Sequence, residues 1–323
     1  MIRNFIFHRV SPDVQFPDIE IDLAHFEKCI RYISRHYHVV LLEDLHAAIR
    51  QSDNKLPLVT ISFDDGYLDN FTYAAPLLEK YGCRGTFFVV SQCIESQKPF
   101  WLHEIKYLFY FNDSAALNVN FNFLPEDLHL HNRSLGLKEK RNYFNKLKRC
   151  LKDLPLEEKD IVYEYFLQTL DQSVIPRLMM NWTELEELKA RGHYIGAHSH
   201  KHNNLAKMTG DEELLNEFML PKILIEKNLG HSPVSFAYPF GVCNRRVMKM
   251  AESAGYRFGV TADRHELYMP DQHDNFEIPR IALSNEAWWK TRLRITNKIE
   301  NIKSILPRFF KKNRNSPLFI SHR

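Results

Sequence analysis

The sequence lacks the cysteine patterns of disulfide scaffolds and of ribbon-type zinc modules. Its five cysteines are an odd number, widely spaced, with no C-x-x-C pair: Cys29, Cys83, Cys93, Cys150 and Cys243. Disulfide frameworks and zinc ribbons use closely spaced sets of cysteines. We therefore exclude both classes and expect reduced thiols in a cytosolic protein.

Long apolar runs are missing as well. No stretch reaches the roughly 18 consecutive apolar residues that a transmembrane helix requires. The apolar segment of the N-terminal MIRNFIFHRV is too short for a secretory signal. The cytoplasm is therefore the expected compartment.

Acidic residues are almost absent from the last 34 positions. Residues 290–323 carry ten Lys or Arg and only one acid, Glu300, a net charge of +9, and because the whole chain carries +3, residues 1–289 carry −6. Such a tail either keeps a protein soluble or contacts anionic lipid or an acidic partner. Peripheral contact with the inner membrane surface follows as an expectation. Nucleic-acid binding has no other support in the sequence and is not expected.

The chain is rich in short β-branched or aromatic runs that alternate with helical patterns, which is typical of strand–helix units around a parallel sheet. About seven such strands suit a closed or nearly closed barrel within residues 1–289. Residues 95–180 break the alternation and are interpreted as a helical insertion between two barrel strands. The predicted strands are 4–8, 58–63, 85–90, 194–197, 234–239, 258–261 and 278–283.

Two carboxylates, Asp64 and Asp65, end the predicted strand LVTISF and precede Gly66. Barrel enzymes place their chemistry at the C-terminal ends of their strands. Adjacent carboxylates repel each other unless a cation or a hydrogen-bond network separates their roles. A bound metal would resolve this repulsion, and the alternative is an ordinary solvated Asp-Asp-Gly turn.

Three histidines follow another predicted strand in IGAHSHKHNNL: His198, His200 and His202. Two imidazoles and one carboxylate leave positions open on a zinc-like metal for water and substrate. A histidine cluster without a ligand is the alternative. A third strand runs into Tyr238-Pro239-Phe240-Gly241, a loop whose backbone N–H groups could face a substrate oxygen.

In this order, SFDDG, HSHKH and FAYPFG resemble the first three motifs of the polysaccharide deacetylase family, the carbohydrate esterase 4 group. NWTELEELKARGHYIGAHSH resembles the helix and strand that lead into the second motif. The resemblance spans roughly residues 1–95 and 180–285. It implies a distorted (β/α)7-type barrel.

The resemblance also implies a role for each matching residue. Asp64 would be the general base that takes a proton from water. The backbone N–H of Phe240 would stabilise the tetrahedral oxyanion. Three residues would bind a divalent metal: Asp65, His198 and His202.

The sequence departs from the family pattern at two points. The arginine that orients the base in the third motif is replaced by Ala237, and we expect Arg280 of IPRIAL to reach the same rim, with a surface arginine as the alternative. The late histidine that serves as general acid is absent. NFIFHRV resembles the opening motif of the branch that deacetylates poly-N-acetylglucosamine, which makes His8 the expected general acid.

These features predict a metal-dependent hydrolase that removes an N-acyl group, most simply acetyl, from a sugar or glycan precursor in cell-surface polysaccharide metabolism. A lipid-linked precursor would suit the basic tail. Zinc is the expected metal, although Co²⁺, Ni²⁺ and Mn²⁺ accept the same ligands. A deformylase, a small-molecule amidase and a non-catalytic glycan-binding barrel remain as alternatives. Tyr238 and Trp101 are expected to contact the substrate, unless Trp101 belongs to the core of the insertion.

Overall fold

A computed structural model describes residues 1–51, 56–112, 116–262 and 267–298. The strands are β1 (Arg3–Phe7), β2 (Arg9–Ser11), β3 (Glu20–Asp22), β4 (His38–Val39), β5 (Leu58–Phe63), β6 (Thr86–Val89), β7 (Tyr194–Ala197), β8 (Ser235–Ala237), β9 (Phe258–Val260) and β10 (Ile281–Ala282). The α-helices are α1 (Leu23–His36), α2 (Leu45–Arg50), α3 (Ala75–Lys80), α4 (Ser91–Ser96), α5 (Trp101–Phe111), α6 (Leu137–Asp153), α7 (Leu156–Thr169), α8 (Trp182–Ala190), α9 (Asp211–Leu229), α10 (Arg245–Ser253) and α11 (Trp288–Ile295).

A parallel sheet forms the centre of the molecule, with the strand order β10-β1-β5-β6-β7-β8-β9 and with β4 paired to the start of β5. Backbone hydrogen bonds between Ile278 and residues Gly259 and Thr261 join the two edges of this sheet. The sheet therefore curls into a barrel, which confirms the predicted distorted (β/α)-barrel class.

Each of the seven predicted strands is found in this sheet, with ends shifted by no more than a few residues. The sequence patterns did not predict β4 or the two-stranded parallel pair β2–β3. These strands have only two or three residues each, and periodicity cannot be read from so few positions.

The helices begin and end where capping groups are available. Asp22 caps α1 by accepting a hydrogen bond from the N–H of His25 at 3.0 Å. Asn181 is the N-cap of α8, and Glu184 completes a capping box with it. The Asn181 side chain accepts the backbone N–H of Glu184, and the Glu184 side chain accepts the backbone N–H of Asn181.

The segment between β6 and β7 contains α4 to α8 and has a hydrophobic core of its own. Aromatic side chains of α5 and α6 pack there face to face or edge to face; for example, the Phe109 and Tyr143 rings lie 5.4 Å apart. The described part of the chain contains no helix with the length and apolar character to cross a membrane. The predicted basic tail is described only as far as residue 298, and residues 299–323 lie outside the described residues.

Candidate active site

The two adjacent carboxylates lie at the C-terminal end of β5, as strand polarity predicted. Asp65 has φ of 76° and Gly66 has φ of 85°. The backbone therefore leaves the strand conformation here, and side chains no longer alternate between the two faces of the sheet. A β-carbon at Gly66 would lie 3.1 Å from Ile94 Cδ1 and 3.2 Å from Val89 Cγ1. Glycine therefore fits both the backbone angle and the space. The turn buries both carboxylates at the same rim, 3% and 2% exposed.

The histidine loop begins at the end of β7, the strand two positions along the sheet from β5. His198 donates from Nδ1 to the carbonyl oxygen of Ala237 at 2.7 Å, which turns its Nε2 towards Asp65. Ser199 Oγ accepts the N–H of His202 at 2.9 Å and helps to fold the loop back. His200 faces away and contacts Ser91 Oγ through its own Nδ1.

Three donor atoms converge on one point: Asp65 Oδ1, His198 Nε2 and His202 Nε2, all within 4.8 Å of one another. Each imidazole nitrogen lies 3.3 Å from Asp65 Oδ1. That oxygen is buried and forms no hydrogen bond of good geometry with any described residue. Because a buried acceptor without a partner is costly, and because these ligand types suit zinc-like metals, the residues present fit a divalent cation.

Arg280 lies against the carboxylate of Asp64. Its two terminal nitrogens donate to both oxygens of Asp64 at 2.7 and 2.8 Å, and its Nε donates to the carbonyl of Thr261 at 2.8 Å. The side chain is 1% exposed. The structure thus brings Arg280 to Asp64 and does not place it on the surface.

Neighbouring charges decide the protonation of the carboxylates. Burial acts to raise the pKa of Asp64, but Arg280 and then His198 outweigh it and lower that pKa below its usual value. Burial also acts to raise the pKa of Asp65, yet His198 and His202 hold that pKa well below the normal range. Both side chains are therefore anionic at neutral pH.

The two imidazoles differ from each other. Burial lowers the pKa of His202 to about 4 despite the adjacent Asp65, so this ring is neutral. Burial also acts to lower the pKa of His198, but Asp64 and Asp65 together raise it above its usual value. A cation in the cluster would replace the proton that His198 attracts.

His8 follows β1, whose Phe7 is aligned with Phe63 of β5, so His8 lies beside Asp64 at the same rim. The Nδ2 of Asn70 fixes the backbone by donating to the carbonyl of His8 at 2.8 Å. Within the described ranges, no group hydrogen-bonds the imidazole of His8, which is partly exposed. It is therefore available to a substrate, and its role as general acid stays a prediction.

The loop after β8 places Phe240 against the cluster. Phe240 has φ of 61°, and its ring centroid lies 4.6 Å from that of His202. Tyr238 differs from the prediction, because its side chain is completely buried and its hydroxyl lies against Gly259 of β9. The structure therefore places Tyr238 in the core, where the alternation of β8 directs it, and not among the substrate-binding groups.

The insertion supplies a wall of the site. Trp101 is 7% exposed, packs in the core of the insertion and donates from Nε1 to the carbonyl of His202 at 3.1 Å. The ring of Phe100 stacks on His202 with the centroids 3.8 Å apart. Sequence reasoning missed Phe100, since it reads as one apolar residue among many in FWLHEIKYLFYF.

Glu217 of α9 is a second residue that sequence reasoning missed. Its Oε2 accepts the backbone N–H groups of His200 and Lys201, each at 2.9 Å, and its Oε1 accepts Nδ2 of Asn203 at 3.1 Å. The carboxylate, 4% exposed, thereby fixes the loop that carries the histidines. An acid on the buried face of α9 was the only available signal.

Comparison with known proteins gives one family. The model of the family described as polysaccharide deacetylase matches residues 51–119 and 155–259, more than half of the chain. The poly-beta-1,6-N-acetyl-D-glucosamine N-deacetylase of Staphylococcus aureus strain MRSA252 is 25% identical over 118 residues, which is 34% of this chain and 40% of that protein. The putative polysaccharide deacetylase YxkH of Bacillus subtilis strain 168 is 41% identical over 51 residues, or 15% of this chain and 18% of that protein. The aligned regions thus span less than half the length of these relatives.

Solved structures show the same fold. The Streptococcus pyogenes deacetylase PplD, in complex with acetate, aligns with a TM-score of 0.58 at 16% identity, covering 91% of this chain and 96% of that chain. IcaB from Ammonifex degensii aligns with a TM-score of 0.57 at 15% identity, covering 92% and 97%.

Proposed function

The chain belongs to the polysaccharide deacetylase family, and from this we propose that it hydrolyses the N-acetyl amide of a sugar unit in a glycan, with a divalent metal as cofactor. The related Staphylococcus aureus proteins, named as deacetylases of poly-beta-1,6-N-acetyl-D-glucosamine, support an N-acetylated glucosamine unit as the substrate. The single observation that carries the proposal is the Asp64–Arg280 pair next to three convergent donor atoms.

In this proposal each residue has one task. A divalent cation held by Asp65, His198 and His202 would act as a Lewis acid and make water easier to deprotonate. Asp64 accepts a proton from water as the oxygen of that water adds to the amide carbon.

The remaining groups complete the hydrolysis. The backbone N–H of Phe240 donates to the oxyanion that forms on the former carbonyl oxygen. His8 donates a proton to the nitrogen as the carbon–nitrogen bond breaks. The products are acetate and a free amino group on the sugar.

Zinc is our proposed metal, because two imidazole nitrogens and one carboxylate oxygen are common catalytic zinc ligands. Co²⁺, Ni²⁺ and Mn²⁺ take the same donors, so metal availability contributes to the choice. Metal analysis of the purified protein, followed by reconstitution with each cation after chelation, tests this part of the proposal.

Among the alternatives, a glycan-binding barrel without catalysis loses support. Ala237, at the motif position of the base-orienting arginine, cannot contact Asp64 in this way, but Arg280 does. A deformylase or a small-molecule amidase would use the same groups, with the shape of the site selecting the acyl donor. Release of acetate from N-acetylated glucosamine oligomers, compared with release of formate from N-formylated ones, distinguishes these reactions. If fully metal-loaded protein releases neither acid, the proposed function is wrong.

We also propose peripheral contact with an anionic membrane surface on the side of α11. Trp289 is 61% exposed, and Lys290 and Arg292 follow it; exposed tryptophan followed by cations suits a headgroup region. Trp289→Ala should weaken binding of the full chain to phosphatidylglycerol vesicles, with Phe111→Ala as the exposed-aromatic control. Equal binding to neutral vesicles would contradict this contact. The cytoplasmic location stays a prediction that cell fractionation tests.

A further inference from the structure

A small recess lies beside the metal-ligand cluster, between the insertion and the loop that follows β7. It is open to solvent on one side, and Trp101 and Asn204 are among its lining residues. The indole Nε1 of Trp101 donates to the carbonyl of His202 at 3.1 Å. The recess and the cluster therefore share a wall.

Lysine is the charged residue that lines this recess. None of the ten lining residues is acidic, and three are lysines: Lys152, Lys159 and Lys207. Lys159 is 6% exposed and has its own partners, since its Nζ lies 2.7 Å from Asn203 Oδ1 and 3.0 Å from Asp160 Oδ1. The charge of Lys159 is thus compensated.

Lys152 is not compensated in this way. Its Nζ lies 4.0 Å from the ring centroid of Phe240, and within the described part of the chain no acceptor takes a hydrogen bond from it. Burial, with Lys148 as the next cause, lowers the pKa of Lys152 to about 8, so the ammonium is still mostly protonated at neutral pH. Because the Phe240 ring also contacts His202, this cation lies one aromatic ring away from the cluster.

The recess also contains an acceptor without a donor. Asn204 donates from Nδ2 to the carbonyl of Lys152 at 3.2 Å, and its Oδ1 is buried with no hydrogen-bond partner among the described residues. Lys152 and Asn204 both line the recess, and an ammonium that donates together with an amide oxygen that accepts matches a negatively charged group with a neighbouring hydroxyl.

We propose that this recess binds an anionic substituent, a phosphate or a carboxylate, carried by the N-acetylated sugar or by the unit joined to it. The inference rests on the proposed function, because the recess selects the substrate only if the acetamido group of that sugar reaches the cluster. Lys152 contacts the anion, and Asn204 accepts a hydrogen bond from a hydroxyl beside it. The insertion would thereby select a charged glycan precursor over a neutral one.

The test is direct binding, measured by ligand-observed NMR with four probes: N-acetylglucosamine, N-acetylglucosamine 1-phosphate, N-acetylmuramic acid and inorganic phosphate. We expect at least one charged sugar to bind about tenfold more tightly than the neutral sugar, because a charge-assisted hydrogen bond contributes on that scale. Lys152→Met should abolish this preference and Lys152→Arg should keep it. Lys138→Met, which removes an exposed lysine from the same helix, should leave it unchanged.

Three results would overturn the inference: equal binding of charged and neutral sugars, a preference that persists in Lys152→Met, or inorganic phosphate binding as tightly as the sugar phosphate. A persisting preference would place the anion on the metal, and tight phosphate binding would indicate a general anion site. Acetate release from neutral N-acetylated oligomers is assayed in parallel. Acetate release without charge preference removes only this inference, whereas Lys152-dependent preference without acetate release removes only the proposed function.

Discussion

Each end of the barrel holds a partly or fully buried carboxyl group, and the pKa values of the two groups are shifted in opposite directions. At the C-terminal end, the guanidinium of Arg280 contacts both oxygens of Asp64 at 2.7 and 2.8 Å and lowers its pKa. At the N-terminal end, the side-chain groups that donate to Glu43 among the described residues are the hydroxyls of Thr86, at 2.8 Å, and Ser235. Burial there raises the pKa of Glu43 to about 7.

The difference shows that the partner, and not burial alone, determines the charge of these carboxyl groups. A cationic partner stabilises the anion in a low-dielectric site, whereas a hydroxyl cannot offset the full cost of desolvating it. The C-terminal end thus holds a carboxylate that is anionic at neutral pH. The N-terminal end holds a carboxyl group that is more stable when neutral and that joins the starts of β6 and β8.

The largest effect is expected for Asp64→Asn, which removes the proposed base but keeps the shape of the side chain. Acetate release should fall by roughly 10² to 10⁴, the range in which a general base contributes. The matched control is Asp69→Asn, a buried acid that also pairs with an arginine, Arg9, at 2.7 Å but lies outside the cluster. Similar losses of activity in both variants would indicate a structural effect and contradict the assigned role.

A smaller effect is expected for Arg280→Lys, which keeps a positive charge but cannot form the two parallel hydrogen bonds to Asp64. We expect acetate release to fall about 10- to 100-fold, the equivalent of one lost charge-assisted hydrogen bond. Steady-state kinetics with N-acetylated oligomers, on protein shown to be folded by circular dichroism, measures the loss. Full activity in Arg280→Lys would show that charge alone is sufficient to orient the base.

The smallest effect is expected for Glu43→Gln, measured as the free energy of unfolding in urea at pH 5 and pH 8. Because the folded pKa of Glu43 is about 7, above the ordinary value of 4.5, its contribution to stability is present below pH 4.5 and is lost as the pH rises to 7. Glutamine keeps both hydroxyl contacts without this loss. From pH 5 to pH 8, the free energy of unfolding of the variant relative to that of the wild type should therefore increase by about 1 to 2 kcal/mol. This figure is discounted because Glu43 is partly exposed.

The control for this comparison is Glu186→Gln, an exposed position on α8. Its difference from the wild type should not depend on pH. A pH-independent difference for Glu43→Gln as well would contradict the contrast between the two ends of the barrel.

The sequence was sufficient to predict the sheet and the side chains that meet at its rim. Asp64, Asp65 and His198 directly follow strands, and strand polarity alone brings such residues to one edge of a parallel sheet. These strands are buried runs of four to six residues, which periodicity and composition identify well.

Residues that depend on tertiary closure could not be predicted in the same way. Arg280 was expected at this rim from the family pattern and not from a local signal, because its contact with Asp64 depends on the pairing of β10 with β1 and of β1 with β5. Glu217 and Phe100 act from helices whose packing on the histidine loop is set by the whole fold. Glu43 lies in a short connection where no periodic signal exists.

The central claim is that Asp65, His198 and His202 together bind one divalent metal ion. Its most direct test is a zinc titration of chelated protein by isothermal calorimetry, comparing the wild type with His198→Ala and with His200→Ala, the nearby histidine that faces away. The account predicts one tightly bound ion per chain in the wild type and in His200→Ala, and loss of that site in His198→Ala. Unchanged binding in His198→Ala, or no binding to the wild type, would contradict the account.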